Sequence, residues 1–383
     1  MKLLHTADWH VGRNIKGRDR GPEHATVLAE LAGVAASENV DLVLVAGDVF
    51  DSSNPSPESE QIVYRALLDL AEVAPVVVIA GNHDHPRRLQ AVAPLLELGR
   101  VTVAGFVQPP DQGGLLEIKT DRGEPVFVAL LPFVSQKHLV RFDQLMDQEQ
   151  YQHEQVHAER VKRLAHLLCQ PIPGDAVGIL AAHLMMVGGT LGGGERVAHT
   201  IFDYAVPAAY LPGHLHYAAL GHLHRRQRLT ASTPTWYAGS PVQLDFGEET
   251  DQKGVLVVEA VPNEPAMVRE VDLLMGRRLR TLTGTLPQLE ELAGSQDGSY
   301  LRIVVEEASR PGLNDEVRRM FPEAVEVRLA LGAADSVLAR PARIGRPPGE
   351  LFAEYLGTQN VGDPAVLAMF NELVEEADAT DPA

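Results

Sequence analysis

The stretch "GHLHYAALGHLH", residues 213–224, carries one tetrapeptide twice around a short apolar run. Small Gly clears space, and two imidazoles two residues apart project from one face of an extended chain, so each copy is a candidate metal grip. The run "YAAL" between them reads as a buried strand. The copy at 221–224 stands at the outlet of that strand, and the copy at 213–216 at its entry. His222 and His224 are therefore the ligand candidates, whereas His214 and His216 read as surface turn residues.

Other apolar runs end in the same way. "KLLHTAD" (2–8), "DLVLVAGD" (41–48), "PVVVIAGN" (75–82), "RVTVAGF" (100–106), "PVFVALLP" (125–132) and "AVGILAAH" (176–183) each read as a buried strand closed by polar residues. Helical patterns lie between them at about 23–38, 57–73 and 145–169. The alternation implies an α/β sandwich with helices over the sheets. Ligand sites of such folds form at the edge where the strands end.

That edge collects Asp8 and His10 from "DWH", Asp48 from "GD", Asn82 and His83 from "GNHD", His183 from "AAH", and His222 and His224. Singly, each is a weak signal, since a lone Asp-x-His is most often a capped turn or a solvated loop. Together they supply Asp, His and Asn donors from successive strand ends. Two divalent metals about 3.5–4 Å apart acting on a phosphate need a bridging carboxylate, partly neutral remaining ligands and open positions for water and substrate. Asp48 is the expected bridge. Mixed imidazole and carboxylate ligation suits manganese, iron or zinc better than magnesium or calcium.

A second unit begins near 270. "RRLRTLTGTL" (277–286), "SYLRIVVEEA" (299–308) and "AVEVRLA" (324–330) read as strands, with helices at about 287–293 and 313–321. The expected organisation is a large domain over 1–268, a small α+β domain over 269–338, a Pro-, Gly- and Arg-rich linker over 339–349, and a helical segment over 350–378. Phe352, Tyr355 and Leu356, then Val366, Phe370, Leu373 and Val374, space that segment into two short amphipathic helices. They bury little alone, so they either fold back on the second domain or dock on a partner.

No apolar run of the 383 residues approaches the roughly 20 that a membrane span needs. The N-terminal residues show no secretory leader, and the single cysteine, Cys169, excludes an internal disulfide. A cytoplasmic protein is expected. The net charge of −19 argues against broad attraction of the whole surface to nucleic acid. A local site survives that argument, because bound cations supply the positive charge a phosphate meets. Arg13, Lys16, Arg18 and Arg20 form the densest basic cluster near the strand edge, in a loop that either meets a phosphate backbone or is a solvated face. "MMVGGTLGGGER" (185–196) is a glycine-rich loop without the Lys-Ser/Thr ending of a P-loop.

"HTADWHVG" (5–12), "VAGDVFDSS" (45–53), "VIAGNHD" (78–84), "AAH" (181–183), "ALGHLH" (219–224) and "YAGSPVQLDFGE" (237–248) resemble the calcineurin-type metallophosphoesterases. More narrowly they are similar to the nuclease subunits of bacterial SbcC/SbcD-type complexes, which process DNA ends and hairpins. The resemblance implies one metal held by Asp8, His10, Asp48 and His224 and another by Asp48, Asn82, His183 and His222, both usually manganese. It implies in-line attack of water on phosphorus, with His83 outside the metal shell, protonating the leaving 3'-oxygen or stabilising the transition state. Archaeal and eukaryotic relatives commonly carry histidine three residues after the bridging aspartate, where this chain has Asp51. An acid there is expected to orient His83 and favour its protonated form. Asp84 is expected behind the ligands or as a cap of the helix opened by Pro86.

The resemblance further implies a capping role for the second domain, docking of the tail on an SbcC-like, SMC-type ATPase, and a homodimer within a heterotetramer associated with the nucleoid. Expected activity is Mn2+-dependent exonuclease (3'-5') and endonuclease action on double-stranded ends, hairpins and single strands, in DNA repair, recombination and replication. The competing readings are a stand-alone phosphodiesterase or phosphatase for small molecules, and a DNA-end tethering scaffold without catalysis.

Overall fold

A computed structural model of the chain describes residues 1–120, 125–134, 150–195, 205–293 and 297–330, with backbone only at 150–156. In the C-terminal segment it describes Phe352, Leu356, Val366, Leu367, Met369 and Phe370. The chain divides into two compact units, Met1–Ala330 and Leu331–Ala383.

The strands are β1 (Lys2–Thr6), β2 (Leu42–Val45), β3 (Val76–Ile79), β4 (Val101–Ala104), β5 (Leu115–Lys119), β6 (Pro125–Leu131), β7 (Val177–His183), β8 (Tyr217–Gly221), β9 (Gln227–Leu229), β10 (Thr235–Tyr237), β11 (Gly254–Glu259) and β12 (Met267–Asp272). One sheet has the order β12-β11-β1-β2-β3-β4 and the other β5-β6-β7-β8-β10-β9. Within the first, β1 to β4 are parallel, and β11 pairs antiparallel with β1. Within the second, β6, β7, β8 and β10 are parallel. Parallel pairing sends the ends of β1, β2, β3, β7 and β8 to one edge, as the polar strand ends require.

The strands are apolar on consecutive positions because each sheet is covered on both faces. Leu42 and Leu44 of β2 turn inward onto Val177, Ile179 and Tyr217 of the other sheet. Val43 and Val45, between them in sequence, face Val27, Leu31, Leu67 and Leu70 of the helices α1 (Gly21–Glu38) and α2 (Pro57–Val73). The helix α3 (Pro86–Glu97) covers the same face, and α4 (Gln150–Cys169) packs Val161, Ala165 and Leu168 on the second sheet. Truncating one of these buried leucines to alanine costs about 2–5 kcal/mol.

Sequence periodicity finds the helices to within a few residues, although 145–149 of the expected third helix lie outside the described residues. It leaves β5 and β9 to β12 unassigned. Strand β12 is paired with β11 through Asp272, so the large sheet runs past the expected 268/269 division. Asp84 does not cap α3: His85 is the N-cap and accepts from the Arg88 N–H at 3.3 Å.

Strands β13 (Leu279–Gly284), β14 (Tyr300–Val305) and β15 (Ala324–Leu329) form a parallel three-stranded sheet. The helices α5 (Leu286–Leu292) and α6 (Leu313–Met320) cover it, burying Leu289, Ile303, Val317 and Phe321. These alternating strands and helices belong to the first compact unit, and residues 331–338 of the expected domain lie outside the described residues. The linker 339–349 lies outside the described residues. In the second compact unit the described residues are helical, and the rings of Phe352 and Phe370 stack at 3.9 Å; Tyr355, Leu373 and Val374 of the expected helices lie outside the described residues.

Candidate metal centre

Five loops converge at the shared edge. The Asp8 N–H donates to the Gly47 carbonyl and the His10 N–H to the Asp48 carbonyl, both at 3.0 Å, stitching the loops after β1 and β2 together. The His83 N–H donates to Asp48 Oδ1 at 2.7 Å, adding the loop after β3. The His222 N–H donates to Asp8 Oδ1 at 2.9 Å, which ties the two sheets. Asp8, His10, Asp48 and His222 all have positive φ, at 52°, 47°, 52° and 110°. Such backbone costs about 1–3 kcal/mol per residue and persists only where the surroundings over-determine it. Close approach demands glycine beside them: a Cβ on Gly81 would fall on the Asp48 carboxylate, and one on Gly221 on the Ala46 carbonyl.

The candidate side chains come together in three overlapping groups. Asp8, His10 and His224 form one group able to hold a cation, and Asp8, Asp48 and His183 another; His10, Asp48 and His83 form a third combination. Asp48 Oδ2 lies 3.6 Å from His10 Nε2 and 3.5 Å from His183 Nε2, between imidazoles of the two expected sites. Asn82 Oδ1 lies 2.9 Å from His183 Nε2 and 2.8 Å from His222 Nδ1. The ring planes of His10 and His224 cross at 68° with centroids 4.8 Å apart.

Electrostatics favour a cation here. Burial and the nearby Asp48 charge push Asp8 up to about 7, against the pull of His183 and His224. Burial also works to raise Asp48, yet the charges of His183, His83 and His10 hold it well below the usual carboxylate range. Burial disfavours charge on His183, but Asp48 and Asp8 overcome it and lift the group to about 9. Protons thus balance buried carboxylates, and metal binding would release them. His10 Nε2 is buried without a hydrogen-bond partner and faces Asp48. Such an atom costs about 1–3 kcal/mol when left unsatisfied, and a divalent ion would satisfy it. The donors present fit two ions of the manganese, iron or zinc type.

Three histidines are oriented by acceptors on the far ring nitrogen. His183 Nδ1 donates to the Ala46 carbonyl at 2.8 Å, and His224 Nδ1 to Glu248 Oε1 at 3.0 Å. His10 Nδ1 is 3.3 Å from Asp51 Oδ1. The last contact refines the expectation for Asp51. Its carboxylate bonds His10 and Arg13 and acts on His83 through its charge, while the main-chain carbonyl of Asp51 accepts from His83 Nδ1, at 2.8 Å. Asp84 accepts from the N–H groups of Gly81 (2.9 Å) and Phe50 (3.0 Å), bracing two loops behind the ligands.

Glu248 and Glu195 are functional residues that sequence reasoning missed. Beyond His224, Glu248 receives the Leu244 N–H at 2.9 Å and the Lys253 ammonium at 2.7 Å. Despite burial, Lys253 and His224 draw it down to about 2. Glu195 accepts from Gly192 and Gly193 N–H, both at 2.7 Å, and from the His224 N–H at 3.1 Å, so the glycine-rich loop is anchored to a ligand. The acid closing "YAGSPVQLDFGE" was the available signal for Glu248.

The basic cluster is largely committed within the protein. Arg20 is only 1% exposed, pairs with Glu23 at 2.7 Å and donates to the Gln243 carbonyl, which removes it from any DNA-facing surface. Lys16 pairs with Glu326 and Arg18 with Glu323, at 3.3 and 3.6 Å, while Arg13 pairs with Asp51. His214 and His216 lie away from the centre. His216 is buried and receives the Gly178 N–H at 3.0 Å, so it is a structural wedge and not a surface turn residue.

Residues 1–225 match the family described as calcineurin-like phosphoesterase. A Bacillus subtilis protein, the SbcD component of the nuclease SbcCD, is 33% identical over 344 residues, covering 86% of this chain and 85% of that protein. Its Rhodobacter capsulatus namesake is 35% identical over 369 residues, with coverages of 89% and 88%. The Escherichia coli K12 namesake is 28% identical over 311 residues, with coverages of 76% and 75%. The metal-ligating edge and these similarities agree: the chain belongs to the calcineurin-like phosphoesterases and, among them, to the SbcD family.

Proposed function

We propose that this chain is the nuclease subunit of an SbcCD-type complex, a metal-dependent phosphodiesterase acting on DNA with an SbcC-like ATPase. The placing of Asp48 Oδ2 between His10 and His183 carries the two-ion reading, because a shared carboxylate is what paired cations require. Asp8, His10, Asp48 and His224 would hold one ion, and Asp48, Asn82, His183 and His222 the other, most suitably Mn2+. Bound there, the pair would lower the pKa of water and neutralise charge on the phosphate oxygens.

The chain's own groups do the rest. His83, with Nδ1 donating to the Asp51 carbonyl, directs its other nitrogen as proton donor to the departing 3'-oxygen. Asp51 sets the His10 tautomer. Arg13, Lys16 and Arg18 flank the entrance, with Lys16 and Arg18 keeping partial exposure for phosphate contact. The unit over 273–330 acts as the capping domain, and the helical segment 350–378 docks on the ATPase. Exposed Leu68, Leu95 and Leu98 of the α2–α3 face support a homodimer within a heterotetramer. No described helix is long and apolar enough to cross a membrane. The reading assigns the protein to DNA in the cytoplasm.

The test is a Mn2+ assay on linear duplex, hairpin and single-stranded DNA beside a small phosphodiester, with Asp48→Asn as control. Cleavage of DNA that the variant loses is expected. Turnover of the small ester alone would establish a stand-alone phosphodiesterase instead.

A further inference from the structure

The loop that follows His10 does not end in solvent. Ile15 and Arg18 exchange main-chain hydrogen bonds at 3.0 Å, and the resulting turn buries Ile15 against Phe246, Leu279, Tyr300 and Val325. Three of these belong to β13, β14 and β15 of the small domain. The remaining one, Phe246, lies two positions before Glu248, the residue that orients His224.

Polar contacts reinforce the same junction. The Arg302 guanidinium sits 4.1 Å above the Phe246 ring and bonds Glu326 at 2.8 Å, while Glu326 also holds Lys16 at 3.3 Å. Arg18 donates to the Pro322 carbonyl at 3.2 Å. Leu279 N–H donates to the Gln243 side chain at 2.7 Å. The small domain therefore grips two segments, 15–18 and 243–248. One descends from His10 and the other supports His224, and both histidines belong with Asp8 to a single ligand group. The contacts that fix His183 and Asn82 come from the large sheets, through the Ala46 carbonyl and His222.

Resting on the two-ion reading, we infer that the small domain is a positioning element chiefly for one ion, the one at His10 and His224, acting through Ile15 and Phe246. A shift of this domain loosens that ion before the one at His183, which makes domain position a control on metal loading. This role is separable from any contact the domain makes with DNA.

The test is calorimetric titration of the full chain with Mn2+ alone, with His224→Asn marking which of two binding steps belongs to the inferred site. Phe246→Ala is expected to weaken that step tenfold or more and to leave the other within about twofold. Lys16→Glu, which faces Glu326 with a like charge, weakens it several-fold, whereas Lys16→Gln, which removes the pair without repulsion, weakens it less. Thermal melts establish that each variant is folded. Equal weakening of both steps, or no change in folded Phe246→Ala and Lys16→Glu, overturns the inference. Absence of Mn2+ binding by the parent chain would bring down the two-ion reading itself.

Discussion

His224 presents Nδ1 to Glu248 Oε1 at 3.0 Å, and both side chains are buried. The carboxylate fixes which imidazole nitrogen carries the proton, leaving Nε2 as the ligand atom and raising its basicity. Glu248→Gln should weaken Mn2+ binding about 10- to 100-fold, a typical cost of losing such support. Calorimetry checks the affinity. Unaltered binding would show that His224 is oriented by something other than this acid.

His83 is placed to handle a proton and is held by main chain at Nδ1 and by the Asp48 carboxylate at its own N–H. His83→Gln should therefore keep two bound ions while DNA cleavage falls about 10²- to 10⁴-fold, the usual worth of a general acid. Metal content by mass spectrometry, measured beside the cleavage rate, decides it. Loss of an ion would move His83 into the ligand set, where its proximity to His10 and Asp48 would then be direct coordination.

Arg20 and Glu23 make a bidentate pair at 2.8 and 2.7 Å in a nearly solvent-free setting. Removing one partner strands the other charge, so Arg20→Ala should destabilise the fold by about 3–5 kcal/mol. Urea unfolding measures that loss. Affinity of the still-folded variant for DNA should stay at the parental value, and a marked drop would return Arg20 to the nucleic-acid surface.

Leu95 and Leu98 are 71% and 85% exposed, unusual for leucines on adjacent turns. On the proposed dimer, light scattering should find the parent dimeric and the combined Leu95→Asp, Leu98→Asp variant monomeric. A dimer that survives both charges would exclude the α3 face as its seam.

His5 lies between the sheets, with Nδ1 2.8 Å from the Tyr217 hydroxyl, and burial pushes its pKa down to about 3. Between pH 6.5 and 3 the unfolded chain takes up a proton here that the folded chain refuses. This contribution to stability is complete above pH 6.5 and falls with pH at about 1.4 kcal/mol per unit. His24, lowered to about 4 by burial and Arg20, adds in the same direction. Denaturant titrations at pH 7 and pH 5 should give His5→Asn a loss smaller by one proton's worth. Equal slopes for variant and parent would mean that His5 titrates alike in the folded and the unfolded chain.

The fold and the candidate ligands were legible because these residues follow closely on apolar strands, and parallel pairing then carries them to one edge. What stayed hidden depends on partners remote in sequence. Arg20 reads as part of a basic loop until Gln243, from the far side of the chain, accepts its hydrogen bond. Lys16 and Arg18 read as a free basic loop until Glu326 and Glu323 of the small domain pair with them, leaving each side chain only partly exposed. Asp51 orients His83 with its carbonyl while its carboxylate acts there only by charge, a division that only backbone geometry makes. Glu195 sits in a loop whose glycines suggest motion, yet those same glycines let it collect the N–H groups that anchor it.

Strand β1 occupies the middle of its sheet, with β2 on one side and β11, ending at Glu259, on the other. A growing polypeptide thus exposes one flank of its first strand until about two thirds of it has left the ribosome. His224 and Glu248 also emerge late, so a nascent chain holds Asp8 and His10 without the companions that would arm them. The candidate metal centre is therefore complete only when most of the chain has been synthesised.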